Sequence, residues 1–237
     1  MPKFLDHEAA LITMADKLAE LKPRLRGWLH AGTVPFVIAG GIVLIVLSPT
    51  GETKVGAAVF TASALLMFGV SAIYHRGTWQ PAVWALLRRM DHANIFILIA
   101  GTYTAFAMLL LDGDVRLVLL LGIWGGALLG VGFRVFWTTA PRWLYTPIYI
   151  ALGWFAVFFI PDFIDGAEPL RTGIAISALI LVAVGGILYT VGAVIYGLKR
   201  PNPKPEWFGF HEVFHTFTIL AFIAHYVAVS LATYDLR

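Results

Sequence analysis

Two histidines four residues apart, His211 and His215, lie at the start of the last long apolar run of the chain, Gly209–Thr233. On a helix this spacing puts both imidazoles on one face, one turn apart, with Cβ atoms about 5–6 Å from each other. Both rings can then reach one metal ion. A third histidine, His75, closes an earlier run, and Asp91 opens the run that follows it. Ser71 precedes His75 by one helical turn on the same face. Three imidazoles leave a zinc ion an open position for water, the ligand count of a catalytic rather than a structural site. A water held there loses a proton at a pH near about 7 and becomes a nucleophile. Asp91 is the candidate for positioning or deprotonating that water; its plainer role is an ion pair with Arg88 or Arg89. Ser71 is placed to hydrogen-bond a ring, a water or a substrate carbonyl, or simply to make an interhelical hydroxyl contact.

These residues have to be delivered by membrane helices. The chain has 237 residues, 59% apolar and only 13% charged, against about 25% charged in a soluble domain. Its mean hydropathy is +0.80. Seven apolar runs approach the roughly 20 residues a bilayer core requires: Leu29–Ser48, Val55–His75, Asp91–Leu111, Val115–Phe136, Leu144–Ile160, Gly173–Tyr196 and Gly209–Thr233. The connections carry turn residues, among them Pro49-Thr50-Gly51 and Asp112-Gly113-Asp114. The expected fold is an all-α membrane protein, a bundle of seven transmembrane helices over residues 29–237. Residues 1–28 form a separate segment. There Leu11, Met14, Leu18, Leu21 and Leu25 recur at spacings of three and four, while acids interrupt every apolar stretch. That pattern reads as an amphipathic helix at the membrane interface or over the protein's own cytoplasmic face, and not as a secretory signal. With no cysteine, disulfides and thiol chemistry are excluded. The net charge of +3 is small, and no nucleic-acid partner is expected.

Charge sets the orientation. Thirteen of the Lys and Arg residues fall in the amino-terminal tail and the second, fourth and sixth connections; four fall on the other side. The positive-inside rule puts the amino terminus in the cytoplasm and the carboxyl terminus outside. His75, at the end of the second span, and Asp91, His211 and His215, at the starts of the third and seventh, then share one depth in the cytoplasmic leaflet. Ionisable groups at such positions are costly and usually functional.

His211-Glu212-Val213-Phe214-His215 also fits H-E-x-x-H, in which the Glu of soluble metalloproteases is the general base. Intramembrane metalloproteases complete such a site with a distant acid, and Leu111-Asp112-Gly113 offers one. The charge count puts Asp112 on the opposite face, roughly 30 Å away, far beyond a ligand distance of about 2 Å. Asp112-Gly113-Asp114 is therefore read as a turn. Glu212 is left either to assist or to pair with a nearby Arg or Lys. The other histidines rank lower. His92 points about 100° away from Asp91. His225 lies about 15 Å beyond His215 along the helix and reads as an interhelical hydrogen-bonding group. His30 and His7 are not expected to bind metal. Asn94 is placed to extend the polar face of Asp91.

Ser71-Ala72-Ile73-Tyr74-His75, Arg89-Met90-Asp91-His92-Ala93, Gly101-Thr102-Tyr103-Thr104 and Phe210-His211-Glu212-Val213-Phe214-His215 resemble the bacterial hemolysin III family. That family is similar to the adiponectin and progestin receptors and to alkaline ceramidases. The resemblance spans the second to seventh helices. It implies zinc held by His75, His211 and His215, with Asp91 and Ser71 beside the water, on the cytoplasmic side of a bacterial plasma membrane. A base role for Glu212 is not general to the receptors.

Three functions follow as expectations. The first is a zinc-dependent hydrolase acting on a lipid amide or ester, with the lipid tail in an apolar cavity between helices. The second is a non-enzymatic, receptor-like or membrane-homeostasis protein with structural zinc. The third, a cytolytic activity, fits an integral topology poorly. In each the partners are membrane lipids, including a lipid substrate or ligand in an intramembrane cavity.

Overall fold

The computed structural model describes residues 23–237, so the amphipathic reading of the tail lies almost entirely outside the described residues. Among these, seven stretches are long and apolar enough to cross a membrane. They are α1 (Trp28–Leu47), α2 (Gly51–Arg76), α3 (Pro81–Leu110), α4 (Gly113–Phe136), a broken fifth span, α7 (Thr172–Leu198) and α8 (Phe210–Asp235). The fifth span is made of α5 (Arg142–Gly153), a 3-10 segment (Phe155–Phe159) and α6 (Ile160–Gly166). Exposed apolar side chains such as Phe36, Leu129, Phe136 and Phe158 cover the outside of the bundle. In a soluble protein such a surface would aggregate, but in hydrocarbon it is the ordinary solvated face.

Local chemistry sets the helix ends. Thr50 caps α2 reciprocally: its hydroxyl accepts from the Thr53 N–H at 3.2 Å, and Thr53 Oγ1 accepts from the Thr50 N–H at 3.0 Å. α3 starts at Pro81, ten residues before Asp91, where the sequence reading began it. Pro at the first helical position costs no hydrogen bond, and Trp84-Ala85-Leu86-Leu87-Arg88-Arg89 then continues the helix past the apolar boundary. Asp91 is therefore held inside a rigid helix and not on its frayed first turn.

The fifth span was expected as one run, Leu144–Ile160. It breaks at Gly153, and Tyr103 of α3 serves the break. The Tyr103 hydroxyl donates to the Gly153 carbonyl at 2.7 Å and accepts from the Ala156 N–H at 2.7 Å. Backbone freed within a membrane has to be satisfied by protein in this way.

The helices that carry the candidate site residues are the innermost. About 72% of the apolar window of α3, 56% of α8 and 50% of α2 is buried, against 22% or less for every other span. α2 packs on α1 and α3, and α8 packs on α7 and α1. One apolar core joins these five helices around Phe60, Phe68, Phe106 and Phe222; a second joins α3, α4 and α5 around Phe96, Ile123 and Tyr149.

Replacing Tyr103 by Phe removes both hydrogen bonds at the break. At about 0.6 kcal/mol for each such bond in a membrane protein, the variant loses about 1 kcal/mol. Unfolding of the reconstituted protein measures this, and an unchanged midpoint contradicts the account of the break.

Candidate metal centre

His75 is the next-to-last residue of α2, and His211 and His215 fall on the first two turns of α8. The antiparallel run of these helices brings the three rings together. Ring centroids are 4.5 Å apart for His211 and His215, 4.8 Å for His75 and His211, and 5.3 Å for His75 and His215. One ring nitrogen from each lies within 4.8 Å of the others. His211 Nε2 and His75 Nε2 are 3.2 Å apart. Two imidazole nitrogens that close need a proton or a cation between them. Zinc bound tetrahedrally at about 2.0–2.1 Å separates its ligand nitrogens by about 3.4 Å, so a small ring movement closes the trio on one ion.

Asp91 comes in from α3. Its Oδ2 is 3.6 Å from His75 Nε2, and its Oδ1 is buried without a hydrogen-bond partner. Ser71 is fully buried beside this carboxylate, and its Oγ also has no partner. His215 Nδ1 is a third unpaired buried atom. Buried polar groups are almost always paired. A cluster of unpaired ones around three converging imidazoles is the donor set that a zinc ion and its water would satisfy, and the residues present fit such a group. Among the described residues no other set of three His, Asp or Glu side chains is gathered closely enough to hold a metal.

Glu212 is not free to act as a base. It is fully buried, pairs with the Arg26 Nε–H, and accepts from the Gly209 N–H at 2.9 Å. It caps α8 and ties the helix to the segment before α1. Asp112 stands at the far end of α3 as the N-cap residue of α4. The helical residues between it and Asp91 account for about 29 Å. Asn94 does not extend the polar face; it donates from Nδ2 to the Leu66 carbonyl at 2.9 Å, joining α3 to α2. His225 donates from Nε2 to the Val182 carbonyl at 3.1 Å, an interhelical bond as read from the sequence. His92 turns away from the trio. Its Nδ1 donates to the Arg88 carbonyl at 2.7 Å, which leaves Nε2 to accept from the Tyr196 hydroxyl at 3.4 Å.

His30 is the residue that sequence reasoning passed over. It is fully buried in α1, and its ring stacks on His215 with centroids 3.8 Å apart and planes inclined by 17°. Phe68 also meets it edge-on at 5.0 Å. The stack limits rotation of the His215 ring. A signal existed: the third residue of the first span lies at the depth of the trio by the same charge count.

One cavity opens on the trio and a second lies beside the first. A vestibule of about 720 Å³ is lined by His75 and His211, with Arg26, Arg88, Arg142 and Lys199 around it. A smaller apolar cavity, about 100 Å³, runs among α3, α5, α7 and α8 past Ile99, Tyr149, Tyr189 and Phe214. His92 and Tyr196 line both and form the wall the two spaces share.

A family model described as Haemolysin-III related matches residues 18–226. A protein named Hemolysin-3 homolog, from Bacillus subtilis (strain 168), is 32% identical over 153 residues, covering 64% of this chain and 68% of that protein. One named Hemolysin-3, from Bacillus cereus, is 33% identical over 147 residues, covering 62% and 64%. Progestin and adipoQ receptor-like protein 1 of Caenorhabditis elegans is 23% identical over 192 residues, covering 76% of this chain and 44% of the worm protein. The matched stretches thus span about two thirds of the Bacillus proteins and less than half of the worm protein.

His30→Ala removes the ring that holds His215 in plane. Loss of such a supporting contact typically weakens a metal site about 10–100-fold. Competition against a chelating dye reads zinc affinity directly, and an unchanged affinity would show that the stack only fills space.

Proposed function

The chain belongs to the haemolysin-III-related family, a multi-pass bacterial membrane protein by its seven apolar helices and its relatives, and from that premise we propose that it is a zinc-dependent hydrolase of a lipid amide or ester. The observation that carries this reading is the position of the trio. Two of the three convergent imidazoles, His75 and His211, line a polar vestibule, the unpaired Asp91 oxygen is beside His75, and the vestibule shares His92 and Tyr196 with an apolar cavity.

His75, His211 and His215 would hold the ion. When bound, it polarises the substrate carbonyl and lowers the pKa of water. Asp91 Oδ1 takes a proton from the attacking water as the new C–O bond forms. The same carboxyl returns that proton to the leaving nitrogen or oxygen as the C–N or C–O bond of the substrate breaks. The Ser71 hydroxyl donates to the carbonyl oxygen as charge develops on it. The acyl chain lies in the apolar cavity, water enters by the vestibule, and Glu212 has only its capping role.

A second reading, zinc as a structural tie, is favoured by one feature. All three ligands come from the end of α2 and the start of α8, so an ion there fastens two helices far apart in sequence. Progestin and adipoQ receptor-like protein 1 carries a receptor's name, which suits a protein that holds zinc without turnover.

The two readings separate on one variant. Asp91→Asn keeps the trio, so zinc content stays at the wild-type level while lipid amide or ester turnover falls at least about 100-fold, the low end for losing a general base. Turnover by the variant at the wild-type rate contradicts the hydrolase. Zinc retention with no hydrolysis of any lipid by wild-type protein, and a lower melting temperature on chelation, selects the structural tie.

A further inference from the structure

The vestibule is cationic to an extent that topology alone does not explain. Positive-inside bias accounts for Lys and Arg on this face, but not for where they point. Arg26, Arg88, Arg142 and Lys199 line the opening, and each is partly withdrawn from solvent, whereas Arg24, Arg89 and Arg200, their near neighbours in sequence, are exposed. Of these four cations, only Arg26 has a carboxylate partner among the described residues, Glu212; Arg88, Arg142 and Lys199 make no ion pair there. Among the described residues no Asp or Glu side chain lines the vestibule. Withdrawing cations from water without a counter-ion is costly, and a concave, single-sign opening concentrates ions of the other sign. Two of the cations also rest on aromatic rings that fix their position: Arg88 lies 5.3 Å from the Trp84 ring, and Arg142 lies 4.7 Å from that of Tyr196.

Position along the substrate follows from the hydrolase reading, on which this step rests. With the reacting carbonyl at the trio and the acyl chain in the apolar cavity, the remainder of the molecule extends into the vestibule. We infer that this remainder is anionic: the ligand is a single-chain lipid amide or ester whose head carries a phosphate or a carboxylate, held by Arg88, Arg142 and Lys199 at the cytoplasmic mouth. The Trp79 and Trp84 rings line the same space and cover the uncharged part of such a head.

The test reads binding and not turnover, so that loss of the hydrolase reading and loss of this one are told apart. The full chain, in an uncharged detergent and treated with chelator to exclude binding through a metal, is titrated with octyl phosphate, octanoate and octyltrimethylammonium at low salt. Binding is followed by tryptophan fluorescence. The anions bind at least about tenfold more tightly than the cation, a difference of the size that a few partly buried charge contacts supply. If both anions show the preference, the mouth takes any compact anion; if octyl phosphate alone shows it, the head is a phosphate. The double variant Arg88→Gln, Lys199→Gln loses the preference. The double variant Arg89→Gln, Arg200→Gln removes the same charge from the same face, leaves the vestibule intact, and keeps the preference. Equal binding of anion and cation by wild-type protein overturns the inference. So does equal loss in the two double variants, which would mean that the anions respond to the general charge of the face and not to this opening.

Discussion

The end of α2 and the start of α8 have to meet at one depth, because each supplies part of one nitrogen cluster. Neither helix can slide by a residue without moving its imidazoles about 1.5 Å along the axis, a large fraction of a metal–ligand bond. Much of the surrounding structure serves this requirement. Arg26 and Glu212 tie the first turn of α8 to the segment before α1, and His30 of α1 stacks against His215. Asn94 fastens α3 to α2 through the Leu66 carbonyl, which sets the height of Asp91 against His75. The polar groups near the site fall into two classes: those paired to position helices, and those left unpaired around the trio.

That division also explains the depth of the centre. On the hydrolase reading proposed above, water has to reach it, and a lipid acyl group has to reach it from the other side. Just under the inner surface, a polar vestibule and an apolar cavity can adjoin within a few residues, and His92 and Tyr196 form the shared wall. A site at the bilayer centre would lack water. One at the surface would lack a wall for an acyl chain.

Much of this was legible in the sequence, since hydrophobic run length and the placement of Lys and Arg are direct consequences of the bilayer as solvent. The seven spans, their odd number, and the common depth of His75, Asp91, His211 and His215 follow from those two patterns. What was not legible depends on partners in space. The early start of α3 at Pro81 was hidden because Arg88 and Arg89 look like a connection, although a helix can run on beyond the membrane. The break at Gly153 depends on a hydroxyl fifty residues away, at Tyr103. Glu212 in H-E-x-x-H looked like a possible base until Arg26 was seen to occupy it. His30 carries no motif of its own, and only packing against His215 shows its part.

The account stands on three imidazoles sharing one ion. X-ray absorption at the zinc edge of the purified, unmutated protein tests that most directly. The account predicts one zinc per chain, with imidazole nitrogens at about 2.0–2.1 Å in a number fitting three ligands and a lighter oxygen donor completing the shell. Protein that carries no zinc after purification and refuses it on titration, or zinc whose shell shows no imidazole scattering, contradicts it.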